Sequence, residues 1–185
     1  MGNSLGGDTP GGHGPIPPLS GPIPPLSGPV LAGVLPNQGA AVVRKAAEVA
    51  LGAGLELVLA FADVTSFPAA GDRDGHVAAQ SIDPDGIDDD ATAIAESLKS
   101  EVEGLLRGTD LPWSFVVLAG EPARSLGRYA ASIAASMIVV GTKEHGLGSK
   151  FEGLVTGSVA LHLAHTQNRP VLVVPLGQHH SGRDE

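Results

Sequence analysis

Five short apolar runs, separated by stretches with helical spacing, constrain the fold of this chain more than any other feature. The runs are continuous rather than alternating, which is typical of strands buried on both faces. They are VLAGVL (30–35), LVLAFA (57–62), FVVLA (115–119), MIVV (137–140) and VLVV (171–174). Strands that alternate with helices predict a parallel sheet with helices on both faces.

Four segments between these runs have apolar residues at helical spacing: 38–51, 89–107, 122–135 and the shorter 158–166. The resulting order is β-α-β-α-β-α-β-α-β. It predicts an α/β fold, formed by one doubly wound domain over residues 28–175, a span of ordinary length for a single domain.

The segments outside this domain have a different composition. Residues 1–27 form a Gly/Pro-rich leader in which GPIPPLS is repeated in tandem over 14–27. Proline at this density opposes helices and sheet ladders, so we expect a disordered or extended leader. Pro15, Pro18, Pro22 and Pro25 also have the offsets of a PxxP ligand. Residues 176–185 are expected to be a flexible tail, and the polar connection at 63–87 to be functional or disordered.

Composition excludes several classes of partner. The formal net charge of −9 repels phosphate backbones, so we expect no nucleic-acid partner. Cysteine is absent, which excludes disulfides and thiolate metal sites. No secretory signal and no apolar window of membrane length is present, so we expect a cytoplasmic protein with no membrane partner.

The last third of the chain resembles the universal stress protein family. The residues that carry the resemblance are SMIVVGT (136–142), the Gly-rich loop after it and TGSVALHLAHTQNRPVLVVP (156–175), and LAGEPARSLGRYA (118–130) resembles the family's third strand and the helix behind it. The resemblance implies a five-stranded sheet of order 3-2-1-4-5, with ligand at the carboxyl ends of strands 1 and 4. It also implies a homodimer, formed through the last strand.

In nucleotide-binding members of that family, the Gly-rich loop holds the phosphates of an adenine nucleotide. A helix N-terminus offers free N–H groups to an anion, and glycine lets the backbone approach it. Lys143 and Lys150 lie on the loop and would neutralise phosphate charge. The resemblance implies these cofactor-binding positions: Gly141, Gly146, Gly148, Gly157, Ser158, Val159 and, near the end of strand 2, Phe61.

Two departures from the family pattern leave the function open. The glycines from Gly141 to Gly157 do not have the family's spacing, and Leu35 stands near the position of an expected Asp. Loss of one charged hydrogen bond costs about 1.5–3 kcal/mol. One hypothesis is a stress-response module that senses ATP, AMP or a small anion. The other is a nucleotide-free dimerising scaffold with a degenerate site.

Catalytic and metal-binding patterns are weak. No nucleophile elbow is present and Ser158 has no evident base, so we expect no catalytic residues and no enzyme activity. His162 and His165 have helical spacing but no third ligand, so no metal site is expected. DPDGIDDD (83–90) lacks the calcium-loop register, and its acidic residues instead favour the start of the second helix.

Overall fold

The computed structural model describes residues 25–36, 38, 40–66, 87–142 and 156–176, with only the backbone at 87–90 and 156–158. The expectations for the leader up to residue 24, the connection at 67–86, most of the Gly-rich loop and the tail after residue 176 therefore lie outside the described residues. Gly146, Gly148, Lys143 and Lys150 lie outside them as well.

Strands and helices alternate along the described chain. The strands are β1 (Val30–Gly33), β2 (Leu57–Asp63), β3 (Trp113–Ala119), β4 (Met137–Gly141) and β5 (Val171–Val174). The helices are α1 (Ala41–Ala53), α2 (Ile87–Leu106), α3 (Pro122–Ser132) and α4 (Thr156–Thr166). No helix among these residues is long and apolar enough to cross a bilayer.

The strands form one parallel sheet of order β3-β2-β1-β4-β5, which confirms the predicted topology. β1 and β2 are in register from Val30↔Leu57 to Gly33↔Ala60. Since β2 extends to Asp63, its carboxyl end reaches beyond the end of β1. Parallel pairing brings the carboxyl ends of all five strands to one edge of the sheet.

Two apolar layers cover the two faces of the sheet. The first layer packs beneath α1 and α2 and includes Val42, Ala46, Leu98 and Val102. The second packs beneath α3 and α4 and includes Leu126, Ala130, Val159 and Leu163. Successive residues of a strand point to opposite faces, so Val30 and Ala32 join the first layer and Leu31 joins the second. The arrangement is doubly wound.

Several element ends differ from the sequence prediction because of local backbone chemistry. β1 ends at Gly33 rather than at residue 35, and α1 begins at Ala41 with Ala40 as an N-cap that makes no side-chain hydrogen bond. α1 ends at Gly54, whose φ of 66° is left-handed and whose N–H donates to the carbonyls of Ala50 and Leu51.

The chain enters the domain through a close contact at the amino edge of the sheet. Gly28 has a φ of 87°, and a Cβ there would lie less than 3.0 Å from the backbone carbonyl oxygen of Ala134. The adjacent Pro29 carbonyl accepts hydrogen bonds from the Ser136 N–H at 2.9 Å and hydroxyl at 3.2 Å. Only glycine fits such a left-handed, crowded position without strain.

Candidate functional site

The crevice between β1 and β4 is the geometric candidate for a ligand site. Both β2 and β4 pair with β1, and the helix that follows β1 packs on one face of the sheet while the helix that follows β4 packs on the other. The strand order of the sheet therefore reverses between β1 and β4. In open α/β sheets, ligands bind outside the carboxyl ends of the strands at such a point.

Gln38 lies at the β1 side of this crevice. Its side-chain Oε1 accepts a hydrogen bond of 3.1 Å from the backbone N–H of Leu35, and its own N–H donates to the Leu35 carbonyl at 3.3 Å. The side chain is thereby folded back onto the end of β1 and is half-buried. This contact satisfies a backbone donor that the sheet itself leaves free.

Gly141 ends β4 and is buried under three side chains. A Cβ on Gly141 would lie within 3.0 Å of Gln38 Nε2 and of Val42 Cγ2, and 3.0 Å from Leu176 Cδ1. Glycine is therefore required here by packing inside the protein. The crevice is filled on the α1 side of the strand end.

Thr142 connects the ends of β4 and β5. Its N–H donates to the Val174 carbonyl at 2.9 Å, and its hydroxyl oxygen accepts from the Leu176 N–H at 3.1 Å. These two bonds hold the chain after β5 against β4. They position Leu176 so that its side chain packs over Gly141.

Asp63 ends β2 and carries a buried carboxylate, with the residue 5 % exposed. Its Oδ1 accepts hydrogen bonds from the Thr65 N–H at 2.9 Å and hydroxyl at 2.7 Å, and its Oδ2 accepts from the Ser66 hydroxyl. Burial raises the pKa of Asp63, but the hydrogen bonds from Ser66 and Thr65 together outweigh it, so the pKa lies below its usual value. Asp63 is therefore an anion whose oxygens are already occupied by the turn that follows β2.

The structure separates the predicted cofactor-binding residues. Gly141 lies at the crevice, and Gly157 and Ser158 fall in the first turn of α4. Val159 is 7 % exposed and packs in the second apolar layer, while Phe61 is 8 % exposed and packs in the first. Phe61 therefore fills core space in this structure, and its contact with a ligand stays a prediction.

Sequence reasoning did not identify Gln38 or Asp63. Asp63 had a usable signal, because a carboxylate directly after a buried strand, followed by Thr65 and Ser66, is typical of a side-chain-bonded turn at the carboxyl edge. Gln38 had none, since its contact with Gly141 joins two segments that are far apart in the chain.

Metal-ligating groups do not cluster in the described part of the chain. No group of three or more His, Asp or Glu residues there could hold a metal ion. His162 and His165 are both exposed on α4.

These features define a Rossmann-like α/β domain with a strand-end crevice at its point of reversal. The family model for the universal stress protein family matches residues 28–175, and the chain belongs to that family. No curated protein sequence matches the chain significantly.

Solved structures of universal stress proteins share the fold. A protein from Archaeoglobus fulgidus in complex with dAMP is 20 % identical, with a TM-score of 0.55 over 80 % of this chain and 98 % of its own. UspA from Lactobacillus plantarum is 14 % identical, with a TM-score of 0.58 over 80 % of this chain and 97 % of its own. A universal stress protein in complex with cAMP is 18 % identical, with a TM-score of 0.50 over 81 % of this chain and 98 % of its own.

Proposed function

We propose that this protein is a stress-response module that binds an adenine mononucleotide in the crevice between β1 and β4. The observation that carries the proposal is that β4 ends at Gly141 beside β1, and that α4, the next described element, has Gly157 and Ser158 in its first turn. Proteins of the same family and fold have been solved with dAMP and with cAMP, which supports this class of ligand.

The chemistry of the α4 start suits the phosphate of such a ligand. The first N–H groups of a helix have no partner within the helix and carry a partial positive charge. Gly157 lets an anion approach these groups closely, and a serine hydroxyl is a hydrogen-bond donor. Binding at this helix start would change the population of partner-competent states.

In this proposal the protein acts as a cytoplasmic sensor rather than as an enzyme. The carboxylate of Asp63, which is the buried acid at the carboxyl edge among the described residues, is held by three side-chain and backbone donors of Thr65 and Ser66. Its lowered pKa keeps it ionised, so it is a poor general acid at neutral pH.

The alternative function is a nucleotide-free scaffold that acts through dimerisation. β5 lies at one edge of the described sheet, where Val171 and Leu172 are partly buried and Val173 is exposed. An apolar edge strand of this kind presents free backbone N–H and C=O groups that a second copy can pair with. We propose that β5 forms this homodimer contact in either functional case.

Thermal melting with and without AMP or ATP separates the two functions. A ligand at about 100 times its Kd adds about 2.7 kcal/mol, which raises the Tm of a chain this size by roughly 5–10 °C. Gly157→Asp should abolish the shift, because its carboxylate repels a phosphate. Gly104→Asp, on the open surface of α2, is the matched control and should retain it. No shift at millimolar nucleotide would overturn the nucleotide site and favour the scaffold function.

A further inference from the structure

The side chain of Gln38 occupies the crevice in which the nucleotide is proposed to bind. Its Oε1 accepts from the Leu35 N–H at the end of β1, and its Nε2 packs against Gly141 at the end of β4. The carboxamide thus spans the two strand ends that define the point of reversal. A ligand that reaches both strand ends has to compete with it.

The described residues give the Gln38 side chain few interactions that hold it in place. Within the described residues, the Gln38 carboxamide makes one hydrogen bond, through Oε1 to Leu35, and Nε2 has no acceptor there. Gln38 is half-buried, so solvent reaches the side chain. A single neutral hydrogen bond of this kind contributes little net free energy.

The hydrogen bond between Gln38 and Leu35 also identifies the acceptor, Gln38 Oε1, that an oxygen of an incoming ligand can replace. When the Gln38 side chain leaves, the Leu35 N–H becomes a free backbone donor at the end of β1. A phosphate or ribose oxygen is a suitable acceptor for that donor. Leu35 has no polar side chain, so its backbone N–H is the hydrogen-bond donor that it can offer a ligand at this position.

We propose that Gln38 is an internal competitor for the nucleotide site: its carboxamide takes the place of a ligand oxygen at the Leu35 N–H and covers Gly141 until a nucleotide displaces it. The proposal rests on the nucleotide site proposed above. Gln38 thereby sets the affinity, because only the fraction of molecules with the side chain displaced is competent to bind.

Removal of the Gln38 carboxamide should therefore tighten binding. Loss of one competing neutral hydrogen bond corresponds to a roughly three- to tenfold lower Kd. A side chain that instead contacted the ligand directly would give the opposite result, since its removal would raise the Kd.

The experiment compares AMP and ATP affinity, by isothermal titration calorimetry, for the full-length chain and for Gln38→Ala. Gln167→Ala is the matched control. The Gln167 carboxamide also lies within 3.0 Å of the place that a Cβ on Gly127 would take. Gln167, however, precedes the start of β5, at the amino ends of the strands and away from the crevice. Gln38→Asn, which is one methylene shorter, serves as a second variant if Gln38→Ala does not fold.

The possible results distinguish this proposal from the proposed function. Tighter binding by Gln38→Ala or Gln38→Asn, with the affinity of Gln167→Ala unchanged, supports the competitor role. The same holds if the unmodified chain shows no measurable binding and a Gln38 variant does bind. Equal or weaker binding by the Gln38 variants overturns that role and leaves the nucleotide site standing. Absence of binding in every variant at millimolar nucleotide overturns both.

Discussion

The carboxamide nitrogen of Gln38 lies where a side chain on Gly141 would begin, so the two residues share one space at the ends of β1 and β4. Their relationship is steric and makes the two positions energetically coupled. Val42 and Leu176 border the same space, which limits how far the neighbours can yield.

Gly141→Ala should destabilise the protein by about 1–3 kcal/mol, because the added methyl group overpacks this space. In a Gln38→Ala background the cost should be smaller, since the nearest obstructing atom is gone. Urea unfolding of the two single variants and the double variant measures the coupling, expected at about 0.5 kcal/mol or more. Strictly additive effects would show that Gln38 does not occupy the space beside Gly141.

Gly28→Ala should be more damaging than the same change at Gly54. Both glycines have left-handed φ, at 87° and 66°, but a Cβ on Gly28 meets the Ala134 carbonyl whereas a Cβ on Gly54 meets nothing within 4 Å. We expect the free energy of unfolding to fall by about 1 kcal/mol for Gly54→Ala, from backbone strain alone. For Gly28→Ala it should fall by about 2–4 kcal/mol, because overpacking adds to the strain. Equal losses in chemical denaturation would contradict the close contact with Ala134.

Asp63→Asn should lower the free energy of unfolding by about 1–2 kcal/mol at neutral pH, since charged hydrogen bonds become neutral ones. The pKa of Asp63 is lowered in the folded protein, so its contribution is present above the usual value of 3.8 and is lost as the pH falls through the folded pKa. The gap between the two proteins should therefore close as the pH drops below that value. The exposed Asp110, changed to Asn, is the control. A gap that is independent of pH in denaturant titrations would rule out an ionised Asp63.

Glu121→Ala should destabilise α3 by about 0.5–2 kcal/mol, because the side chain caps the helix. Its carboxylate oxygens accept hydrogen bonds from the N–H groups of Ala123 at 3.0 Å and Arg124 at 2.8 Å. Glu121→Asp, another acceptor of the type favoured at N-caps, should recover part of the loss. Glu101→Ala, at an exposed position on α2, should change the Tm much less. Equal Tm changes at the two glutamates would argue against the cap.

Val173→Asp should convert the proposed homodimer to a monomer, because it places a charge in the middle of the β5 contact. Val64→Asp is the matched control, since both valines are 39 % exposed and Val64 lies after β2. Size-exclusion chromatography with light scattering gives the molar mass of each variant. A monomeric unmodified chain, or a Val173→Asp dimer, would refute the β5 contact.

The topology was predictable from sequence because it depends on periodicity. Continuous apolar runs marked the five strands, and the helical stripe through Leu98 and Val102 marked a buried face. Element ends were less accurate: the run at 30–35 continues past the last paired residue, Gly33, because apolar character does not show where the ladder stops.

The candidate site was less predictable, because it depends on contacts between segments distant in sequence. The glycine at position 141 was recognised, but not the residue that covers it, since Gln38 precedes it by about a hundred residues. Phe61 was assigned to the ligand site from its position near a strand end. Its side chain packs in the apolar layer beneath α1 and α2, a face that strand position alone does not determine, and its contact with a ligand stays a prediction.

The close contact of Gly28 with Ala134 fixes where the chain enters the domain: at the amino ends of the strands, away from the crevice at their carboxyl ends. The preceding Pro25, Leu26 and Ser27 are exposed, and the chain joins the sheet at the edge opposite the crevice. The four residues of β1 separate the two edges by about 13 Å. A fluorescent dye or a surface tether attached ahead of Gly28 would therefore leave the crevice accessible, and the molecule could be immobilised by one end and probed at the other.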